Sequence, residues 1–307
     1  MARNRNTFEE TDNRLAADLI AALDAHAANP VGWKMPWNAS SSNPVNPITG
    51  RSYSGSYNAI VLMFSAMNHG GDQRFAGFGQ WRKDGRPVRE GEKGISIFYP
   101  IFKCSACGKP AGFGKRCGGR GGCGAEFKKS SDKTMVGFGE SKVFNNQQTA
   151  NPLPAQVTKD VDPAEGFAAA ANLVKKSGAD LRHGGGRAFY SLTGDYIQVP
   201  SAGDFNTVAD YWSTVLHECG HWTGHADRLN RVGITRPDGY SLEAYAYEEL
   251  VAEIAASFLC KHVGVERPGL DEQHVAYLAS WRKRLSEDPS IIRKAVGEAG
   301  KVLRYLK

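Results

Sequence analysis

Hydrophobic positions near the start of the chain recur at helical spacing. In FEETDNRLAADLIAALDAHAA, Leu15, Leu19, Ile20 and Leu23 share one face, which predicts an amphipathic helix over residues 8–28. The next stretch, WKMPWNASSSNPVNPITGRSYSG, is rich in Pro, Gly, Ser and Asn and predicts loop. Residues 57–68, YNAIVLMFSAMN, are mostly apolar and predict a buried helix. Ile95–Phe102 and Met135–Asn145 read as strands, and Asp84-Gly85 and Gly91 ahead of them mark turns. The segment between the strands predicts an excursion from one sheet. Residues 146–162 hold two prolines and no apolar period, as a linker does. Beyond it come a helix at Pro163–Ser177 and two short strands around Thr193-Gly194. Helices over Asn206–Gly224 and Leu242–Val263 follow, with one or two more in residues 271–306. The pattern is α+β, divided into domains at 1–150 and 151–307.

Length and charge sharpen this division. A chain of 307 residues exceeds the usual single domain. Residues 1–150 carry 20 Lys and Arg against 12 Asp and Glu, whereas residues 151–307 carry 18 against 20. A basic first half points to a polyanion such as nucleic acid, with a solvated basic face as the alternative. No apolar run approaches the roughly 20 residues of a membrane span, so no membrane partner is expected. The opening MARNRNTFEETDNR lacks the apolar core of a signal peptide, and a cytoplasmic location is expected. The six cysteines therefore do not read as a secreted disulfide framework. Cys219 and Cys260 sit in apolar helical patterns and read as core residues.

Candidate chemistry in the second half centres on LHECGHWTGH. His217 and His221 lie one helical turn apart on one face, so both imidazoles can reach one divalent ion, and Glu218 beside them suits a general base. This is the HExxH arrangement of zinc peptidases, which also arises by chance on solvated helix faces. His225 would lie about 12 Å along the axis from His217 on a continuous helix, too far to share an ion. YAYEELVAEIAASFL offers a better third donor. Glu249 and Glu253 stand four apart, and Ala252, Ala255 and Ala256 would let this helix approach closely. By analogy with zinc peptidases, Glu249 is taken as the third ligand and Glu253 as the carboxylate that orients a histidine; the reverse assignment stays open. The ligand set favours zinc. RAFYSLTGDYIQVP suits either an edge strand for an extended peptide or plain sheet.

In the first half, Trp33, Trp37, Tyr53 and Trp81 alternate with Lys34, Arg51, Arg86, Arg89 and Lys93. Aromatics can stack on bases and cations can neutralise phosphates, as single-stranded DNA requires; buried tryptophans with exposed cations are the alternative. CSACGKPAGFGKRCGGRGGCG supplies Cys104, Cys107, Cys117 and Cys123. The Cys104/Cys107 pair, followed by Gly108, reads as a zinc knuckle within an insertion at about 103–127. The second pair is spaced more widely than usual, yet its glycine-rich filler makes closure feasible. A structural zinc is expected there, with free or redox-active thiols as the alternative.

WKMPWN, NPITGRSYSGSYN and VREGEKG resemble the N-terminal single-stranded-DNA-binding domain of ArdC-type antirestriction proteins. HGGGRAFYS, DYIQVP, LHECGHWTGHADRL, YAYEELVAEIAASFLC and HVAYLASW resemble their C-terminal zincin-like metallopeptidase domain. The resemblance covers nearly the whole chain in the right order. It implies an N-terminal mixed α/β domain, into which the knuckle is inserted in this chain, then a gluzincin-type domain. It implies a protein of a phage or conjugative plasmid that binds single-stranded DNA and shields incoming DNA from host restriction. It also implies His217, His221 and Glu249 as ligands of a zinc ion, Glu218 as general base, and a restriction or other protein as substrate. Two alternatives accompany it: a DNA-coating protein with an idle metal site, and a primase-associated binding protein. The cysteine cluster, with its second zinc, falls outside the resemblance.

Overall fold

The computed structural model describes residues 2–28, 43–53, 56–111, 116–118, 122–155, 163–235, 242–267 and 272–307. Helix α1 (Ala2–Ala28) buries Leu15, Leu19 and Leu23, the stripe its periodicity predicts. Helix α2 (Tyr57–Met67) starts at Ser56, whose hydroxyl accepts from the Ala59 N–H, and buries every residue from Ala59 to Phe64. Strand β1 (Phe75–Gly77) runs into the short helix α3 (Phe78–Lys83); both are too brief to show a period and were not expected. Strands β2 (Ile95–Cys104) and β3 (Lys133–Asn145) form a long antiparallel hairpin. Its register runs from Ile95↔Val143 out to Cys104↔Lys133, with one irregularity at Ile101/Phe102. The sheet order is β1-β3-β2, and the cysteines lie at the hairpin's far end, an excursion between paired strands as expected.

The first residues of the expected linker are fixed in place. Asn146, Gln148 and Thr149 are almost wholly buried. Asn146 Nδ2 donates to Asp72 Oδ2 at 2.8 Å, and Asn145 Nδ2 donates to the Asp72 carbonyl at 2.7 Å. Polar side chains lock this corner, so a lack of apolar residues did not mean loose chain. Residues 156–162 of the expected linker lie outside the described residues.

The second half runs through α4 (Pro163–Ser177), β4 (Asp180–His183), β5 (Phe189–Ser191), β6 (Tyr196–Val199) and α5 (Val208–Trp222). It continues with α6 (Val232–Thr235), α7 (Leu242–Val263), α8 (Glu272–Glu287) and α9 (Ile291–Leu306). In the sheet β4-β6-β5, β4 is parallel to β6 and β5 antiparallel, which leaves β5 at an edge. Strand β4, DLRH, lacks alternation and was not anticipated. Most buried apolar residues of the two halves join into one cluster, from Leu15 of α1 to Leu306 of α9, and Cys104, Ala111 and Cys117 form a second, small one. No described helix is long and apolar enough to cross a membrane.

Candidate metal centres and nucleic-acid surface

Helix α5 begins at Thr207, whose hydroxyl accepts from the Asp210 N–H at 3.0 Å. Its later turns are apolar on the core side, and residues Val215–Trp222 are all buried. Burial of the whole turn places His217 and His221 inside the protein, facing α7. The close approach depends on Gly220: a Cβ there would stand 3.3 Å from Ala252 Cα. Ala252, Ala255 and Ala256 on α7 are fully buried.

Across this narrow crossing the donors converge. His217 Nε2 and His221 Nε2 lie 3.1 Å apart. Glu249 Oε2 is 3.3 Å from His217 Nε2, and its Oε1 is 3.5 Å from His221 Nε2. Zn–N and Zn–O bonds of about 2.0–2.1 Å imply ligand atoms roughly 3.3 Å apart in a tetrahedron. The three side chains therefore fit a small divalent cation. Glu253 Oε2 stands 3.8 Å from the other nitrogen of His217. His225 is not in this group; its Nδ1 faces Asp227 at 3.5 Å beyond the helix end.

Sequence reasoning missed what holds these donors. Glu248, to which no role was assigned from sequence, is buried and meets His221 Nδ1 at 3.3 Å. Arg231 clamps Glu248 with Nη2 at 2.6 Å and Nε at 3.1 Å, and its Nη2 also donates to the Gly220 carbonyl at 2.6 Å. Arg267 donates to Glu253 Oε2 at 2.6 Å and to the Glu253 carbonyl at 2.6 Å. Each histidine thus has one nitrogen toward Glu249 and the other toward a carboxylate held by an arginine. The missed signal was charge: several glutamates in apolar helices require buried cations nearby.

Glu218, Glu248, Glu249 and Glu253 are all buried, and so are Arg231 and Arg267. Ionised, the four carboxylates exceed the two guanidiniums by two negative charges, which one divalent cation balances. Without a cation the imidazoles must answer that field. Burial disfavours a charged His221, but Glu249 and Glu248 outweigh it and raise its pKa well above 6.5. Burial likewise opposes ionisation of Glu249, yet the two imidazoles hold its carboxyl far below the usual range. The neighbouring Cys219 thiol is pushed up to about 12 by burial and serves as core.

A second clamp ties the β5–β6 turn to the loop after α5. Arg228 Nη1 donates to Asp195 Oδ2 at 3.0 Å, and the Tyr190 hydroxyl donates to Asp195 Oδ1 at 2.8 Å. Arg228 also lies 3.9 Å over the Trp222 ring. The edge strand β5 is thereby fixed beside α5.

At the hairpin end, Cys104 Sγ and Cys123 Sγ are 3.8 Å apart, and Cys107 Sγ and Cys117 Sγ are 3.6 Å apart. All four sulfurs fall within 4.8 Å of one another. A hydrogen bond from the Lys109 N–H, ahead of the neighbouring thiols, draws the Cys107 thiol down to about 7.

The expected DNA-stacking set divides. Trp81 is wholly buried and donates its indole N–H to the Phe144 carbonyl at 2.9 Å, so it is a core residue and offers no face to a base. Tyr53 is half-buried against the main core. Arg86 and Arg89 pair with Asp84 and Glu92. Arg51 and Lys93 are exposed. Trp33, Lys34 and Trp37 lie outside the described residues.

Comparison with known proteins agrees with this architecture. Residues 9–112 match the N-terminal domain of anti-restriction factor ArdC, and residues 168–298 match the zincin-like metallopeptidase family. Fold and site thus define a protein in which a zincin-like domain follows a sequence of the ArdC N-terminal type. The chain belongs to the ArdC-type antirestriction proteins. It is similar to antirestriction ArdC protein from the R388 plasmid in its metal-free and Mn(II)-bound crystal structures. The TM-scores are 0.67 and 0.68, at 26% identity with 96% of each chain covered. It is 38% identical to a DNA primase TraC of Escherichia coli over 311 residues, covering 100% of this chain and 27% of that protein. An uncharacterized protein, y4eC of Sinorhizobium fredii, is 27% identical over 100% of this chain and 95% of its own length. The chain spans 27% or less of the TraC relatives it matches. The ArdC match ends at residue 112, between the two cysteine pairs.

Proposed function

We propose that the protein binds single-stranded DNA through its N-terminal half and protects incoming DNA from host restriction, and that its C-terminal half is a metal-dependent peptidase. The observation that carries the second part is the convergence of His217 Nε2, His221 Nε2 and the Glu249 carboxylate, each within 3.5 Å of the next. These three would hold a divalent cation, zinc by their chemistry. Mn(II) occupies a relative's structure. Glu253 and Glu248 fix the ring orientations and are not needed as ligands. When bound, the cation supplies Lewis acidity toward a carbonyl and a water. The chain's own residues supply the rest. Glu218, buried on the same turn as His217, takes the proton from water and returns it to the leaving amine. The edge of β5 offers backbone groups to an extended peptide, and Arg228 keeps that edge in place. On the DNA side, Arg51 and Lys93 present exposed cations.

A second reading, protection by coating DNA with a structural metal, is favoured by one observation: a chain like this one forms part of proteins named DNA primase. Glu218→Ala separates the two. The variant should keep its metal and its affinity for an oligonucleotide but lose protection of incoming DNA in a transformation assay. Full protection by the variant would remove hydrolysis from the mechanism and leave coating.

A further inference from the structure

We propose that the four cysteines hold a structural zinc ion, and that the basic ribbon they close is the main phosphate-contacting surface for unpaired DNA. The inference rests on the single-strand-binding reading above and names the part of the chain that does the binding.

The geometry of the sulfurs comes first. Zn–S bonds of about 2.3 Å place thiolates roughly 3.8 Å apart in a tetrahedron. The observed pairs, at 3.6 and 3.8 Å, match that spacing and are far outside the ~2.05 Å of a disulfide. The backbone around the two pairs repeats one plan. Cys104 accepts from the Gly108 N–H at 2.8 Å, and its own N–H reaches the Lys109 carbonyl at 2.8 Å. Cys117 accepts from the Gly124 N–H at 3.0 Å, and its N–H reaches the Ala125 carbonyl at 2.8 Å. Gly108 and Gly124 both take left-handed backbone, with φ of 69° and 75°. Despite its wider spacing, the second pair is therefore closed by the same two backbone hydrogen bonds; residues 119–121 lie outside the described residues. The apolar support is slight: Cys104, Ala111 and Cys117 are buried, with Phe102, Cys107, Ala125 and Phe127 packed around them. So small a cluster cannot order about thirty residues without a crosslink or an ion.

Charge identifies the partner. Residues 103–133 contain eight Lys and Arg against two Asp and Glu, a net of +6, which equals the net charge of the whole chain. The other residues sum to zero. A zinc tetrathiolate carries roughly −2, so the ribbon stays basic when loaded. Lys103, Lys109, Arg116, Lys128 and Lys129 are exposed. Asp132 accepts from the backbone N–H groups of Lys128 and Lys129 at 2.8 Å each, and the Lys128 side chain reaches Glu126 Oε2 at 3.5 Å, a pairing of exposed groups that water screens. The stem adds a stacking surface. Tyr99 is 38% exposed, and its ring lies so close over Gly139 that a Cβ there would fall 2.4 Å from it. A flat, half-exposed ring below a cationic tip is what unpaired bases and their phosphates require, whereas a duplex would hide its bases.

The test uses the full chain, metal analysis, and the anisotropy of a labelled oligo-dT at several salt concentrations. Wild type should carry two metal ions and bind with a steep salt dependence. The quadruple variant Lys103→Ala/Lys109→Ala/Lys128→Ala/Lys129→Ala should keep both ions and bind on the order of a hundredfold more weakly at low salt. Its log–log slope should shrink by about 3, since each phosphate contact on a single strand contributes about 0.7. Cys107→Ser should lose one ion and weaken binding although its lysines are intact. If wild type binds and the quadruple variant matches it in affinity and slope, the ribbon is not the surface and only this inference falls. If wild type itself fails to bind, the single-strand reading falls first. Equal zinc content in wild type and Cys107→Ser would overturn the metal half.

Discussion

The two clusters of metal-ligating side chains are built on opposite plans. The histidine cluster sits where α5 crosses α7, inside the main core, with its charges already arranged by Arg231, Arg267 and Glu248. The cysteine cluster sits at the end of a two-stranded hairpin, on a core of its own with three buried residues. In the first, the fold creates the site. In the second, the zinc proposed above would create the local fold. A cation at the first can be exchanged, or pass through catalytic geometries, without unfolding anything; a cation at the second cannot.

The largest effect that tests this contrast comes from unpairing a buried charge. Arg267→Met leaves the Glu253 carboxylate, 0% exposed, without its guanidinium. Urea unfolding should show a loss of about 3–5 kcal/mol, with or without metal. Cys117→Ser should shift the same transition by less than about 1 kcal/mol, because the ribbon contributes little to the main core. Trypsin should nevertheless cut within residues 103–133 much faster in that variant. A global loss in Cys117→Ser as large as in Arg267→Met would mean the hairpin end is part of the main cooperative unit, and the contrast would be wrong.

A smaller effect comes from pH, best read in a Cys107→Ser background so that only the histidine centre responds to chelation. In the metal-free protein, burial works against charge on His221, but Glu249 and Glu248 raise its pKa well above 6.5. A raised value in the folded state means that the stability from a charged His221 is complete below pH 6.5. It is lost as pH climbs through the higher folded value. A cation needs the neutral ring, so it takes the place of that proton. Thermal midpoints of the chelated protein should therefore fall as pH rises above 6.5, while those of the metal-loaded protein should not. Metal affinity should weaken toward acid. Parallel midpoint curves with and without metal would show that proton and cation do not exchange at this centre.

How much of this was legible in the sequence follows from what each feature depends on. The spacing of His217, His221 and Glu249 is a property of helices, and α5 and α7 fall almost where periodicity puts them. The small residues at 252, 255 and 256 announced the close crossing. Arg231 and Arg267 were not legible because they lie outside the long helices, in segments with no period, and only tertiary folding brings them to Glu248 and Glu253. Trp81 was misread for a related reason. It sits among cations in the sequence, QWRKDGR, but α3 is a single short helix that turns Trp81 inward and leaves Phe78 exposed. Local composition reports what surrounds a residue along the chain, not which way it points. The edge position of β5 was foreseen as one option, while β4, which fixes the sheet's other edge, was too short and too polar to show.

The smallest effects come from two glycines that serve different ends, and they sharpen the contrast most. At Gly220 the constraint is space: an added Cβ would meet Ala252 Cα at 3.3 Å and Ala252 Cβ at 3.5 Å, tighter than comfortable contact. Alanine gains about 1 kcal/mol of helix propensity there, and overpacking costs about 1–3 kcal/mol. The two nearly cancel, so Gly220→Ala should change stability by about 1 kcal/mol or less. The strain must still be relieved by moving α7 a few tenths of an ångström from α5, which carries Glu249 away from both imidazoles. Metal affinity at the histidine centre should drop about tenfold, the scale expected when a ligand's support is disturbed. At Gly108 nothing lies within 4 Å of the added Cβ, and the constraint is the positive φ of 69°. Gly108→Ala should strain the ribbon by roughly 1–2 kcal/mol, lower its zinc affinity, and leave the histidine centre untouched. Competitive metal titration of both variants reads the two centres separately. Should Gly220→Ala bind metal at the histidines as tightly as wild type, the spacing of α5 and α7 would not set that site, and the claim that the fold creates it would lose its main support.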